Sequence, residues 1–250
     1  MAIPGQPAAP PDCPPGWSIG PADFVGIGAD RSGTTWWHSL ISSHPQVSVA
    51  PGAEKEVHFF DPFWDGSFGE DDAARYREQF PRAEGAIAGE WTPRYMYDVW
   101  TPALLARAAP DARLLVSLRD PLDRYRSHLR TRIAVLPDDA FLGADAAIAL
   151  SRSLYAYPLL RVLRHFPREQ LLVLQHERCV ADTAGQLRRT FEFLGLDGVD
   201  WVPPDAERAI NTGPSGVEVP PALEQDLDAT FAEDLRRLRE FAPEIDPSLW

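Results

Sequence analysis

Cysteine is almost missing: Cys13 and Cys179 are the two cysteines in 250 residues. They stand too far apart for a disulfide framework or a zinc site of standard ligand spacing, and no other His/Cys/Asp cluster has metal-ligand spacing, so no metal is expected. No run of about 18 apolar residues occurs, which argues against a membrane-spanning helix. The first residues lack both the basic and the apolar stretch of a secretory signal. Lysine is nearly absent too, since of 24 cationic side chains only Lys55 is a lysine. Phosphate recognition is therefore expected to fall to arginine forks and backbone amides. Positive charge as a whole is short, with 24 Lys and Arg against 37 Asp and Glu for a formal charge of -13. A general polyanion binder needs a broad basic face, so neither nucleic acid nor a membrane surface is an expected partner. A small basic pocket remains compatible with that balance. The expectation is a soluble, cytoplasmic protein.

What is present points to one globular domain with a substantial core. Residues 1–21 hold seven prolines and almost no apolar periodicity, and are expected to form a disordered leader ahead of a single domain over residues 22–250. Apolar runs at 24–28, 86–88, 113–118 and 171–174 read as buried parallel strands. Helical spacing separates them, at 34–43, 101–109, 121–132, 154–166 and 183–194, with a last helix over about 222–241. Thr101 with Pro102, and Asp120 with Pro121, read as N-caps followed by first-turn prolines. Alternating strands and helices imply an α/β fold of P-loop type, a doubly wound parallel sheet flanked by helices, with ligands at the carboxyl ends of the strands.

The segment Gly28-Ala29-Asp30-Arg31-Ser32-Gly33-Thr34-Thr35 lies between an expected strand and an expected helix. There its amides and the helix N-terminus face an anion. The glycine spacing is that of a nucleoside-triphosphate loop, yet Thr34 stands where such a loop has its lysine. A P-loop kinase or phosphohydrolase with a degenerate loop is the rival reading, and Thr34 speaks against it. The nearest cation is instead Arg31, three residues earlier.

Arg31-Ser32-Gly33-Thr34-Thr35-Trp36 resembles the 5′-phosphosulfate loop, K-S-G-T-T-W, of sulfotransferases that use 3′-phosphoadenosine 5′-phosphosulfate (PAPS) and release 3′-phosphoadenosine 5′-phosphate (PAP). Arg119, after the apolar run 113–118, and Ser127, eight residues on, are similar to that family's 3′-phosphate pair. Lys55-Glu56-Val57-His58-Phe59-Phe60-Asp61 resembles the K-E-x-H-F-F-D stretch of the glycosaminoglycan-type branch, which includes the heparan sulfate 3-O-sulfotransferases. Ser151-Arg152-Ser153-Leu154-Tyr155 is similar to a helix start of the same branch, and the likeness runs from about Phe24 to Trp250.

The resemblance implies sulfuryl transfer from PAPS with no metal. Ser32, Gly33, Thr34, Thr35 and Arg31 would hold the donor at its sulfated end, Arg119 and Ser127 its 3′-phosphate, and Trp36 its adenine or else the core. Glu56 would be the base, raised by burial and by the donor's negative charge. His58 would orient Glu56, contact the acceptor or share the proton, and Arg31 would neutralise the bridging oxygen. Asp61 would hold the acceptor or cap the next turn, and Tyr155 falls on the acceptor side.

Two departures stand out. Where the branch has E-K-T-P-x-Y, this chain has Glu90-Trp91-Thr92-Pro93-Arg94-Tyr95, so Trp91 replaces a lysine; Arg94 would supply the missing charge or Trp91 would wall an apolar acceptor pocket. The family's late nucleotide-covering loop has Asn211-Thr212-Gly213 as its nearest match. The charge of -13 and the lost lysine favour a neutral or apolar small-molecule acceptor, with a polysaccharide acceptor as the alternative.

Overall fold

Four short strands whose residues point alternately to two helical layers make the centre of the protein. The computed structural model describes residues 7–134, 143–204, 206 and 219–250. In chain order the elements are β1 (Ser18–Ile19), β2 (Phe24–Gly28), α1 (Thr34–Ser42), α2 (Glu70–Arg77), β3 (Pro81–Arg82), β4 (Gly89–Trp91), α3 (Thr101–Ala108), β5 (Arg113–Leu118), α4 (Pro121–Ile133), α5 (Gly143–Arg152), α6 (Ala156–Val162), β6 (Leu171–Gln175), α7 (His176–Ala181), α8 (Thr183–Leu194) and α9 (Pro221–Leu238). Strands β4, β2, β5 and β6 lie side by side in that order, all parallel. This is the expected α/β architecture in one domain.

The two faces of the sheet follow from the period of two along each strand. Val25, Ile27, Leu114, Val116, Leu118, Leu171 and Val173 pack with residues of α2, α3 and α6 and with Leu238. Phe24, Trp91, Leu115, Leu172 and Leu174 pack on the opposite face with α1, Cys179 of α7 and α8. The chain leaves β2 toward β4 on one side and leaves β5 toward β6 on the other. The carboxyl ends of β2 and β5 are therefore neighbours at the point where the winding reverses, which is where an open α/β sheet forms its crevice.

Several expectations shift. The strand expected at 86–88 is Gly89–Trp91, with Ile87 making one isolated bridge to Val47. The apolar run ended too early as a guide, because Glu90 is buried inside the strand. Thr101 does not cap α3: the N-cap is Trp100, and Thr101 Oγ1 is buried without a hydrogen-bond partner. Asp120 does cap α4, accepting from the Asp123 amide. The helix expected over 154–166 is α6, preceded by α5 and by the turn at Ser153 to Tyr155. The last helix ends at Leu238, and its buried stripe begins at Leu227, with Leu223 exposed.

Residues 7–21, expected to belong to a disordered leader, run along the body. Ser18 and Ile19 pair antiparallel with Arg82 and Pro81. The Ala8 amide donates to Val57 O at 3.1 Å and the Asp12 amide to Pro51 O at 3.1 Å. Prolines have few unfolded conformations to lose, so sparse backbone bonds are enough to hold such a segment. Among the described residues, no helix is long and apolar enough to cross a membrane.

Candidate active site

The loop after β2 is fastened to the sheet at three points. The Trp91 indole N–H donates to Gly28 O at 3.0 Å, the Ala29 amide to Ser117 O at 2.9 Å, and the Ser117 hydroxyl to Ser32 O at 2.7 Å. Arg31 and Gly33 both take left-handed backbone, with φ of 67° and 76°. At Gly33 a side chain is excluded twice, by that φ and because a Cβ would stand 2.6 Å from His176 Nδ1. Helix α1 then opens with Thr34 and Thr35, so its unpaired amides and positive end face the loop. Ser32 is fully buried, and its hydroxyl has no hydrogen-bond partner.

Ser127, one of the two expected 3′-phosphate residues, meets this loop at one edge. Arg31 Nε donates to Ser127 Oγ at 3.3 Å, which joins the loop to α4. Burial first, then the nearby Arg130, lowers the Arg31 pKa from its ordinary value, and Arg124 and Arg119 add to the effect. Such a concentration of positive charge is what an anion relieves. Arg119 follows β5 and pairs with Asp123 at 2.9 Å. Tyr155 donates its hydroxyl to Arg119 O at 2.9 Å and is buried. Tyr155 thus holds the backbone of Arg119; the acceptor contact expected of it is corrected, since burial leaves no face for an acceptor.

Arg124 of α4 is fully buried. Its guanidinium bonds Asp30 Oδ1 at 3.0 Å, Ser153 Oγ at 2.8 Å and Ala149 O at 2.6 Å. Burial would raise Asp30, but His128, Arg124 and Arg152 outweigh it and hold this loop carboxylate at about 2. Asp30 therefore anchors the loop's outer side as a permanent anion.

The second cluster lies at the start of α1. Lys55 Nζ approaches Thr34 Oγ1 at 3.4 Å, Thr35 Oγ1 at 3.3 Å and Glu56 Oε1 at 2.7 Å. His58 Nε2 is 3.3 Å from Glu56 Oε2, and its Nδ1 is 3.1 Å from Asp61 Oδ2. His58 reaches both carboxylates through a left-handed backbone, φ 52°, rather than an extended one. Hydrogen bonds that His58 donates to Asp61 and then to Glu56 push its pKa up to about 9. Burial alone would raise Glu56, but bonds from His58 and Lys55 prevail and hold it below its ordinary value. Glu56 is thus an ionised carboxylate and His58 an imidazolium near neutral pH, so His58 orients Glu56 instead of competing as a base. Asp61 opens a short 3-10 turn, Asp61–Asp65, and its Oδ1 is buried without a partner.

Strand β4 sets the position of this cluster. The Trp91 amide donates to Lys55 O at 2.8 Å, the Val57 amide to Glu90 Oε2 at 3.1 Å and the His58 amide to Thr92 Oγ1 at 3.4 Å. Glu90 is fully buried and also accepts from Tyr76 and Thr92. Burial raises its pKa.

Trp91 is the clearest correction. It is fully buried, with its ring where a Cβ on Gly26 would stand, 2.0 Å from that position. It walls no acceptor pocket. Arg94, the other candidate for the missing charge, is held by Asp98 at 2.9 Å and lies 3.6 Å from Asp61. Trp36 is buried as well, edge-on to Trp37 and His176, with its indole N–H on Ala206 O at 3.0 Å. Asn211, Thr212 and Gly213 lie outside the described residues.

Sequence reasoning missed Lys55 and His176. Lys55 stood beside Glu56 in the motif, but only the fold carries it to the loop threonines. His176 opens α7 at the end of β6, and burial, with Arg119 nearby, lowers its pKa to about 4. It is a neutral imidazole between Gly33 and Trp36.

A phosphate loop whose helix start faces a paired carboxylate and lysine, on a four-stranded parallel sheet, defines a group-transfer domain. The chain belongs to the sulfotransferase family, whose sulfotransferase domain matches residues 21–202. Heparan sulfate glucosamine 3-O-sulfotransferase 3A1 of Mus musculus is 36% identical over 183 residues, covering 68% of this chain and 44% of that protein. Heparan sulfate glucosamine 3-O-sulfotransferase 6 of Homo sapiens is 32% identical over 208 residues, covering 78% of this chain and 58% of that protein. The chain thus spans about half the length of these relatives. A sulfotransferase from Alicyclobacillus acidocaldarius superposes with a TM-score of 0.73 at 25% identity, covering 93% of this chain and 99% of that one.

Proposed function

We propose that residues 22–250 transfer a sulfuryl group from PAPS to a hydroxyl of a neutral, small-molecule acceptor. The observation that carries this reading is that one loop joins two sites. Arg31 links it to Ser127 of α4, while its threonines touch Lys55 beside Glu56. The residues fit a bisphosphorylated donor: the buried Ser32 hydroxyl has no partner, and two threonine hydroxyls, a helix N-terminus and the positive charge of Arg31 stand at the same loop.

When bound, PAPS supplies an activated sulfuryl group and a phosphate leaving group. Loop residues Ser32 to Thr35 hold its sulfated end; Arg119 and Ser127 hold the 3′-phosphate, with Arg31 reaching from the loop to Ser127. His176 and Trp36 border the same loop. Glu56 takes the proton from the acceptor hydroxyl, and the His58 imidazolium, fixed by Asp61, keeps that carboxylate aimed. Pre-set geometry and charge do the rest, as in phosphoryl transfer. Two unpaired cysteines, exposed Cys13 and buried Cys179, support a cytoplasmic setting as part of this reading.

The small-molecule reading is supported by the charge of -13, which disfavours a polyanionic acceptor. A second reading, an amino-sugar hydroxyl in a heparan-type glycan, is supported by the 36% identity to a heparan sulfate glucosamine 3-O-sulfotransferase. Radiolabelled PAPS offered with 4-nitrophenol, a neutral glycoside and N-sulfated heparan chains separates the two. Label on either small acceptor, with the glycan blank, supports the first; label on the glycan alone supports the second; label on none removes both.

A further inference from the structure

This inference rests on the reading just given and adds a residue to it. Sulfuryl transfer needs positive charge where the leaving oxygen becomes anionic. The cations expected there are engaged elsewhere: Trp91 carries no charge and is buried, Arg31 leans on Ser127, and Arg94 is held by Asp98. Lys55 occupies the gap. Its backbone is fixed by the Trp91 amide, and its ammonium lies between Thr34, Thr35 and Glu56. Neighbouring side chains on an extended segment ordinarily diverge, yet those of Lys55 and Glu56 converge on the start of α1. A threonine hydroxyl that accepts from Lys55 keeps its own proton to donate to an anion.

We propose that Lys55, the single lysine of the chain, is the catalytic cation of the transfer step, entering from the segment beside β4 instead of from β4 itself. The acceptor oxygen forms a bond to sulfur as the bond from sulfur to the bridging oxygen breaks. The electron pair of the broken bond stays on that oxygen, now part of PAP, and the acceptor proton passes to Glu56. Lys55 keeps its protons and neutralises the oxygen on which the charge arrives. Arg31 serves the Ser127 side of the loop.

The test compares wild type with Lys55→Ala, Lys55→Arg and Arg31→Ala, using calorimetric titration with PAP, conversion of PAPS with the acceptor panel above, and thermal melting. Lys55→Ala is expected to melt near wild type and to lose about 100-fold or more in turnover. Its PAP affinity should stay within about fivefold, because the charge it serves develops mainly in the transition state. Lys55→Arg is expected to recover part of the turnover, and Arg31→Ala to lose mainly PAP affinity. Turnover within about threefold of wild type in Lys55→Ala overturns the assignment, as does an equal loss of affinity and turnover. A wild-type protein that neither binds PAP nor converts PAPS overturns the parent reading instead, and the Lys55 assignment with it.

Discussion

Trp91 and Gly26 share one space: the indole fills the place a Cβ on Gly26 would need, and its N–H fastens Gly28 O at the mouth of the phosphate loop. The two are register partners in adjacent parallel strands. Core packing and the shape of the anion site are therefore one structural matter here. Gly26→Ala is expected to destabilise the protein by about 1–3 kcal/mol through overpacking, and Trp91→Ala by about 3–5 kcal/mol through the cavity it leaves. Both are read from denaturant midpoints, and both should weaken PAP binding because the loop loses its anchor. A Gly26→Ala protein as stable as wild type would contradict the packing.

In the proposed reaction Glu56 takes the acceptor's proton. Glu56→Gln keeps the shape and removes the base, so turnover is expected to fall by about 100- to 10,000-fold while PAP binding stays near wild type. Unchanged turnover would remove Glu56 from the base role.

His58 gives a pH signature. Its pKa is raised from 6.5 to about 9 by Asp61 and Glu56. The stability it contributes is therefore complete below about pH 6.5 and is lost as pH rises through about 9. Melting temperatures of wild type and His58→Gln should converge across that window and differ most below it. A gap that widens with rising pH would contradict the imidazolium.

Tyr155 positions Arg119 through its carbonyl. Tyr155→Phe is expected to cost about 1 kcal/mol of stability and a few-fold in PAP affinity, whereas Arg119→Ala, which removes a phosphate fork, should cost far more affinity. Equal PAP affinity in Tyr155→Phe and wild type would limit Tyr155 to the core.

Much of the fold was legible in the sequence because β2, β5 and β6 are mostly apolar and, exposed Arg113 aside, buried on both faces. Asp120 stood as clear punctuation for α4. Strand β4 was displaced because its central residue is a carboxylate. Glu90 belongs in the core only through partners distant in sequence, the amide of Val57 and the hydroxyl of Tyr76. Of the residues their motifs singled out, Arg31 bonds Ser127, and Glu56, His58 and Asp61 form one chain of contacts. Trp91 and Tyr155 lie in the core instead; a large aromatic beside a motif reads equally as wall or core until packing decides. Lys55 was visible as a lone lysine, but its approach to Thr34 and Thr35 is a tertiary fact.

The most direct test of the central claim is calorimetric titration of the protein with PAP, with and without magnesium, beside ATP. The account predicts magnesium-independent binding of PAP with ATP much weaker, because the proposed site assigns a second phosphate to Arg119 and Ser127 and no lysine stands at position 34. Binding of ATP that requires magnesium, with no binding of PAP, would contradict it and mark the site as that of a divergent P-loop kinase.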